Sequence, residues 1–446
     1  MSATSAARAD SGLLRVMGLR ALAANGINQI VGAAIFVVPA AVAAALGSAA
    51  LLAYLVCALA AGLVALCFAE AGSRISTTGG TYMYVETAFG PLAGFLAGSL
   101  FWFGGQVVAN AGVAVVFVDS IGQLAPWARH PLPRAGVLVA LYAVLTWVNV
   151  RGVRRGARVV EVLTLAKLAP LLLLLAAAPL AFHAVNLRWT GLPSAHQLGG
   201  ASILLVFAFF GIEGALSPSG EVRDPARTVP RAILLAVGGA TLLYLAIQLA
   251  AQGVLGPALA QESAAPLAAT AGSALGPWGR SLVLAGAAVS CLSYLGGDML
   301  ASPRLLFAFA RDGFLPARLA RVHPRFHTPA PAIVVHGVLA CVLAISGTFR
   351  GLVLLSVVST LLLYLACALA TLELRRRDVR ADGPPLRLPL GPTIPLLGAL
   401  VVVWLLTSAS AAEFRAVGAF LVLAGIAYLV RARRFRVRAA ATVPAD

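Results

Sequence analysis

Residues 28–39 read NQIVGAAIFVVP, an apolar run with the small residues Gly32, Ala33 and Ala34 at its centre and Pro39 further on. Small residues followed by a proline permit a helix to break. The surrounding stretch, 19–46, is apolar and long enough to span a bilayer, which takes about 20 helical residues. Broken backbone inside a membrane is tolerated only where it is buried in protein or lines a cavity. The run therefore predicts a membrane helix interrupted at a functional site.

The composition places this interrupted helix in a polytopic membrane protein. The chain is 60% hydrophobic and 11% charged, whereas a soluble domain carries about 25% charged residues. The alternating pattern of a membrane β-barrel is absent. We predict an all-α membrane protein with twelve spanning segments, numbered 1 to 12 in chain order: 19–46, 49–73, 91–121, 134–150, 157–178, 199–219, 230–253, 276–302, 331–348, 351–374, 392–411 and 414–430.

A second interruption occurs in segment 6, where residues 207–218 read FAFFGIEGALSP. Here too small residues lie at mid-depth and a proline follows. A pair of interrupted segments at matching places in two halves of a chain points to the midplane site of a transporter. Because segments 1 and 6 carry the interruptions, we predict two repeats of five segments, with segments 11 and 12 added.

The basic residues indicate the orientation. Of 33 arginines and lysines, 26 fall in the N-terminal arm, the tail and the loops on the same side of the predicted bundle. The positive-inside rule then places both termini in the cytoplasm, and the plasma membrane is the expected location. The net charge of +17 thus reflects topology, and we expect no nucleic-acid partner.

The same segments predict the domain organisation. An N-terminal arm covers 1–18, and the transporter core covers 19–375, with its two repeats at 19–178 and 199–375. Residues 376–430 hold a loop and helices 11 and 12, and 431–446 form a basic cytoplasmic tail.

The break in segment 1 predicts a binding chemistry. A half-helix that begins at mid-membrane exposes unpaired N–H groups and the positive end of its dipole, which together bind a carboxylate. Gly32, Ala33 and Ala34 lack bulk, so a substrate can approach that backbone closely.

Five motifs resemble those of the amino acid–polyamine–organocation (APC) superfamily of amino acid permeases. Residues 32–36, GAAIF, resemble its first-helix Gly-Ser-Gly-Ile-Phe motif. The other matches are 207–213 (FAFFGIE), 221–231 (EVRDPARTVPR), 78–84 (TGGTYMY) and 304–316 (RLLFAFARDGFLP). Together the motifs extend over residues 19 to 375.

This resemblance implies the LeuT-like 5+5 inverted-repeat fold with broken helices 1 and 6, and transport by alternating access. It also implies substrate contacts at both breaks, through Gln29, Gly32, Ala33, Ala34, Ile35, Phe207, Phe210 and Gly211. Phe207 occupies the place of a gating aromatic in some members, although plain packing is an equal alternative. Ala33-Ala34 replaces Ser-Gly, which removes a hydroxyl and leaves recognition to backbone groups.

Lys167 is the only lysine and lies in the apolar run of segment 5. An ionisable side chain inside a membrane is a functional hypothesis by default. Snorkelling to the interface is the alternative, but Lys167 is nine residues beyond Arg158, or ~13 Å along a helix. Some sodium-independent APC members place a helix-five lysine where relatives bind a cation, and Lys167 resembles it. We therefore expect its ammonium to bond to carbonyls freed by the first break and to take part in proton coupling.

Two carboxylates complete the candidate proton-coupling or gating residues. Glu213 follows the break in segment 6, where it either senses protons or simply caps freed N–H groups. Asp298 in segment 8 either pairs with Lys167, attracts a substrate cation or faces the inner vestibule.

These observations predict a secondary active amino acid permease that is sodium-independent, driven by protons or exchange, and selective for neutral amino acids. The alternatives are an antiporter of cationic amino acids or polyamines, and a membrane sensor that binds amino acids without flux. A membrane enzyme is disfavoured because the presumed site has no nucleophile–base pair, metal cluster or nucleotide loop. We expect no metal or cofactor, and a monomer or homodimer in the lipid bilayer.

Overall fold

The computed structural model describes residues 18–75, 81–151, 156–189, 191–215, 222–311, 314–380, 384–388 and 390–441. The regular elements in this part of the chain are all helices. Seven of these helical stretches are long and apolar enough to cross a membrane: Val38–Arg74, Pro91–Leu124, Pro131–Arg151, Arg227–Gln261, Pro277–Arg311, Phe349–Arg376 and Ala411–Val430. Shorter apolar helices occur at Ala166–Ala181, Ala195–Phe209, Ala330–Ser346 and Thr393–Leu406. The chain is therefore a multi-pass, all-helical membrane protein.

The helices of the first half follow the predicted segments in order. They are Leu19–Ile30 and Val38–Leu46 in segment 1, Ala50–Arg74 in segment 2, Pro91–Leu100 and Ala109–Leu124 in segment 3, Pro131–Arg151 in segment 4, and Gly156–Ala177 in segment 5. The two parts of segment 3 are joined by a π-helical stretch, Phe101–Val108. A short helix, Thr81–Phe89, precedes segment 3.

The second half begins with Ala195–Leu205 and Ile212–Ala215 in segment 6, and Pro225–Leu255 in segment 7. It continues with Pro277–Ala301, Ala330–Ser346, Phe349–Arg376 and Thr393–Leu406 in segments 8 to 11. Pro266–Leu275 and Pro303–Arg311 are connecting helices. The last helix runs Ala411–Ala441, past the predicted end of segment 12 at residue 430.

The packing divides most segments into two groups. Segment 7 packs against segments 1 and 2, and segment 6 contacts the same two segments, so the interrupted helices lie together. Segment 8 packs against segments 3 and 5, whereas segment 9 packs against segments 3 and 4. Segment 10 contacts segments 2 and 3, one from each group. The two interrupted segments therefore belong to the same group of packed segments.

A buried ion pair fastens segment 10 to segment 2. Glu70 is fully buried, and its Oε1 accepts hydrogen bonds from Arg74 Nη2 at 2.8 Å and from Arg375 Nε at 2.9 Å. Arg375 Nη2 also bonds to Glu70 Oε2, and Arg74 Nη1 donates to the carbonyl of Val379 at 3.1 Å. The backbone N–H of Leu388 lies 3.4 Å from Glu70 Oε2. One carboxylate therefore holds the end of segment 2, segment 10 and the chain that follows it.

This cluster predicts a large cost for removing the carboxylate. Glu70→Ala leaves the guanidinium of Arg74 buried without its counter-charge, and breaking a buried pair in this way costs about 3–5 kcal/mol. We expect a clearly lower midpoint of thermal unfolding in detergent. Glu373→Ala is the control, because the ion-pair partners of Glu373 among the described residues are the exposed Arg376 and Arg377, and exposed pairs contribute little. Equal melting of the two variants would contradict the assignment.

Candidate functional site

The helix of segment 1 ends at Ile30, and residues 31–33 are not helical. The chain then forms one tight turn, Ala34–Phe36, and resumes as the helix Val38–Leu46. Pro39 is accommodated because it lies in the first turn of this second helix, where its missing N–H has no intrahelical partner. The interruption predicted from residues 28–39 therefore occurs at Val31, Gly32 and Ala33.

The break frees the carbonyl of Asn28. In a continuous helix that oxygen accepts the N–H of residue 32, but the N–H of Gly32 donates to the carbonyl of Ile30 at 2.8 Å instead. A freed carbonyl in a membrane has to find another donor inside the protein.

The chain of segment 6 breaks at Phe210 and Gly211, between Ala195–Leu205 with its tight last turn Val206–Phe209 and the short helix Ile212–Ala215. Gly211 adopts φ +118°, a conformation that side chains rarely permit. A Cβ at this position would also overlap the backbone of Gln29. Position 211 therefore requires a glycine for two reasons, its backbone conformation and the lack of space for a Cβ. The backbones at the two breaks are in direct contact.

Tyr244 of segment 7 joins the two breaks. Its buried hydroxyl lies 2.8 Å from the carbonyl oxygen of Ile30 and 2.9 Å from that of Ala208, so one hydroxyl hydrogen is shared between a carbonyl of each break. Sequence reasoning missed this residue. The available signal was a tyrosine within an apolar segment, because a buried phenol requires a hydrogen-bond partner.

Lys167 contacts the freed carbonyl of segment 1. Its Nζ donates to the carbonyl oxygen of Asn28 at 2.7 Å, and the side chain is 1% exposed. From segment 8, Ser290 Oγ donates to the carbonyl of Gly32 at 3.3 Å. Segments 5 and 8 therefore supply donors to segment 1 just before its break and within it. Among the described residues, no carboxylate lies within ion-pair distance of Lys167.

Glu213 caps the break in segment 6. The N–H of Gly211 lies 3.1 Å from both carboxylate oxygens, and the hydroxyl of Tyr364 donates to Oε2 at 2.7 Å. Glu213 is 3% exposed, and Tyr364 belongs to segment 10. The geometry is that of the capping interpretation, and a role in gating or proton sensing stays a prediction.

Asp298 belongs to a separate buried network. Its Oδ2 accepts a hydrogen bond from Asn110 Nδ2 at 2.6 Å and lies 3.0 Å from His336 Nε2, while Ser302 Oγ donates to Oδ1. Tyr142 donates to Asn110 Oδ1 at 2.7 Å. The network thus links segments 3, 4, 8 and 9.

The pairing of Asp298 with Lys167, considered from the sequence, is wrong. The carboxylate is directed at segments 3 and 9, and its side chain is 2% exposed. Asn110 and His336 contact Oδ2, Ser302 contacts Oδ1, and attraction of a substrate cation by Asp298 stays a prediction. The sequence did not predict this contact, because Asn110 precedes Asp298 by 188 residues.

The remaining candidate residues lie at the same two breaks. Phe207 and Phe210 pack edge to face, with ring centroids 6.0 Å apart, and Phe210 packs in the same way against Tyr364 at 5.4 Å. Ile35 is fully buried, Ala33 and Ala34 are nearly so, and Gln29 and Gly32 are half-buried. Gln29 and Gly211 are in contact, Phe207 and Phe210 pack against each other, and the other four predicted contacts lie in or next to the break in segment 1, so a role in substrate binding stays a prediction. Among the described residues no three metal-ligating side chains cluster.

Known proteins are similar in sequence to this chain along most of its length. The sequence model of the family described as amino acid permease matches residues 17–429. An uncharacterised transporter of Mycobacterium tuberculosis is 34% identical over 91% of this chain and 89% of its own. The serine/threonine exchanger SteT of Bacillus subtilis is 29% identical over 87% of this chain and 89% of its own. The vacuolar cationic amino acid transporter 2 of Arabidopsis thaliana is 29% identical over 84% of this chain and 61% of its own.

The position of Tyr244 predicts that its hydroxyl stabilises the paired breaks. Tyr244→Phe leaves the carbonyl of Ala208 without this donor, and a buried polar group that loses its partner costs about 1–3 kcal/mol. We expect a lower midpoint of thermal unfolding in detergent.

Tyr54→Phe is a matched control, because the hydroxyl of Tyr54 is equally buried and has no hydrogen-bond partner among the described residues. Its loss should leave the midpoint unchanged or raise it. If Tyr54→Phe destabilises the protein as much as Tyr244→Phe does, the prediction that the Tyr244 hydroxyl stabilises the paired breaks is contradicted.

Proposed function

Because the chain belongs to the amino acid permease family, as its match over residues 17–429 shows, we propose that it is a secondary active transporter that moves neutral amino acids without sodium. The driving force is an inward proton gradient or exchange for an internal amino acid. The observation that carries the proposal is the bond from Lys167 Nζ to the freed carbonyl of Asn28. A fixed ammonium at this place supplies the positive charge that a bound cation would otherwise bring.

The architecture we propose has twelve spanning segments, with segments 1–5 and 6–10 as two inverted repeats and with both termini in the cytoplasm. The interruptions in segments 1 and 6, at matching places of the two halves, support this arrangement. Alternating access then consists of movement of one group of packed segments relative to the other, around a site at the two breaks.

We assign the substrate carboxylate to the break in segment 1. The first N–H groups of a helix lack intrahelical partners, and the turn that begins at Ala34 presents such groups next to Gly32. Phe207 and Phe210 from segment 6 would line the side-chain end of the pocket. Both are almost fully buried, so opening of the pocket requires these rings to move.

Neutral substrates are favoured because the two buried carboxylates considered as candidates, Glu213 and Asp298, already have donors. Glu213 is held by Gly211 and Tyr364. Asp298 is held by Asn110, Ser302 and His336. Both carboxylates are thus already engaged by other groups, and the predicted substrate contacts are mainly Phe, Gly and Ala.

The test is uptake of a panel of labelled amino acids into proteoliposomes that contain the purified protein. We expect neutral amino acids to accumulate under an inward proton gradient or against a preloaded amino acid, in the absence of sodium. Preferential uptake of arginine and lysine would favour the cationic alternative. Saturable binding with no flux would favour a sensor, and stimulation by sodium would contradict the proposed coupling.

The lysine has a test of its own. Lys167→Ala removes the charge and the bond to Asn28, and we expect loss of proton-driven accumulation with substrate binding retained. Ser290→Ala is the control, because it removes the neighbouring donor to Gly32 without changing charge. Proton-driven accumulation that is unchanged in Lys167→Ala refutes the coupling role, provided that the melting temperature shows an intact fold.

A further inference from the structure

A groove runs along the outer surface between segments 4 and 9, away from the two breaks. Its volume is about 540 Å³, within the range of about 300–1,000 Å³ typical of ligand sites. Segment 4 contributes Tyr142, Trp147 and Arg151, and segment 9 contributes Gly337 and Cys341. The floor is fixed, because the hydroxyl of Tyr142 is bonded to Asn110 beneath it.

The walls of the groove are apolar and face outward. Val139 and Trp147 are 52% and 55% exposed on segment 4, and Val338 is 55% exposed on segment 9. Segment 4 has one of the least buried surfaces among the spanning helices. In a membrane protein such a surface faces lipid, so an acyl chain is the apolar group available to fill the groove.

One end of the groove carries a positive charge. Arg151 ends the helix of segment 4, and its guanidinium lies 4.2 Å from the ring centroid of Trp147. Of the described residues that line the groove, Arg151 alone is charged, and no described carboxylate forms an ion pair with it. In the sequence, Arg154 and Arg155 follow it. Among the described residues, the stacked guanidinium is therefore an oriented cation without an ion-pair partner.

The chain before segment 9 closes this charged end. Thr328 Oγ1 donates to the carbonyl of Val150 at 2.6 Å, which ties the loop to the end of segment 4. Phe326, from the same loop, lines the groove, and the guanidinium of Arg325 lies 5.5 Å from its ring. The loop before segment 9 therefore borders the groove next to Arg151.

We propose that the groove is a binding site for one anionic phospholipid, whose acyl chain lies along segments 4 and 9 and whose phosphate contacts Arg151. Basic pockets between membrane helices bind anionic headgroups by this chemistry. The acyl chain packs on the ring of Tyr142, whose hydroxyl belongs to the network of Asn110 and Asp298. Bound lipid therefore supports the packing of segments 3, 4, 8 and 9.

The test is native mass spectrometry of the purified chain with phosphatidylglycerol or phosphatidylcholine of identical acyl chains. Because one basic residue near an anionic headgroup accounts for about a fivefold preference, wild type should retain phosphatidylglycerol about fivefold better. Arg151→Ala should abolish this preference. Arg318→Ala is the matched control, because Arg318 is exposed and lies outside the groove, and it should behave like wild type.

A second variant tests the groove itself. Ala143 lines the groove and is exposed, so Ala143→Phe fills the groove without disturbing the packing of the core. It should reduce retention of both lipids while Arg151 is intact. Equal retention of the two lipids by wild type, or wild-type retention in both Arg151→Ala and Ala143→Phe, overturns the proposal. A stable dimer that Ala143→Phe dissociates overturns it too, because a second copy of the chain would then cover the groove.

Discussion

The rest of the structure depends on one constraint: backbone groups released inside the membrane have to be bonded within the protein. Each unsatisfied group in hydrocarbon costs several kcal/mol. The chain meets the constraint by placing its two breaks against each other and by directing donors at the released carbonyls. Tyr244 serves Ile30 and Ala208, and Lys167 serves Asn28. Every one of these donors comes from another segment, so the interrupted helices exist only in the assembled bundle.

The other buried polar groups are arranged differently. The network around Asp298 involves four segments, and its members are bonded to one another instead of to released backbone. Hydrogen bonds between buried side chains of different helices help to fix the relative position of those helices. At the breaks, in contrast, side chains are bonded to backbone carbonyls: Lys167 to Asn28, Ser290 to Gly32 and Tyr244 to Ala208. This difference fits a rigid group of segments beside a group that changes shape.

The sequence predicted the interruptions because their cause is local. Gly32 and Pro39 act on the backbone of their own segment, and Gly211 does the same in segment 6. The depth of Lys167 in the membrane could also be predicted, because it follows from the rise per residue of a helix over the nine residues from Arg158. The hydrogen-bond partners of the buried side chains could not be predicted in this way. Asn110 and His336 reach Asp298 across 188 and 38 residues, and the rotation of each helix, which decides such contacts, is set by packing around it. Tyr244 was missed for the same reason.

The cluster at Glu70 has a consequence for how the chain is made. Glu70 and Arg74 are four residues apart and can pair within segment 2 as soon as that helix forms. Arg375, the second partner, is synthesised 305 residues later. During that interval the carboxylate has only its helical neighbour, so segment 2 enters the bilayer with a local ion pair at its end. The cluster can be completed only after segment 10 has been made and has packed against segment 2.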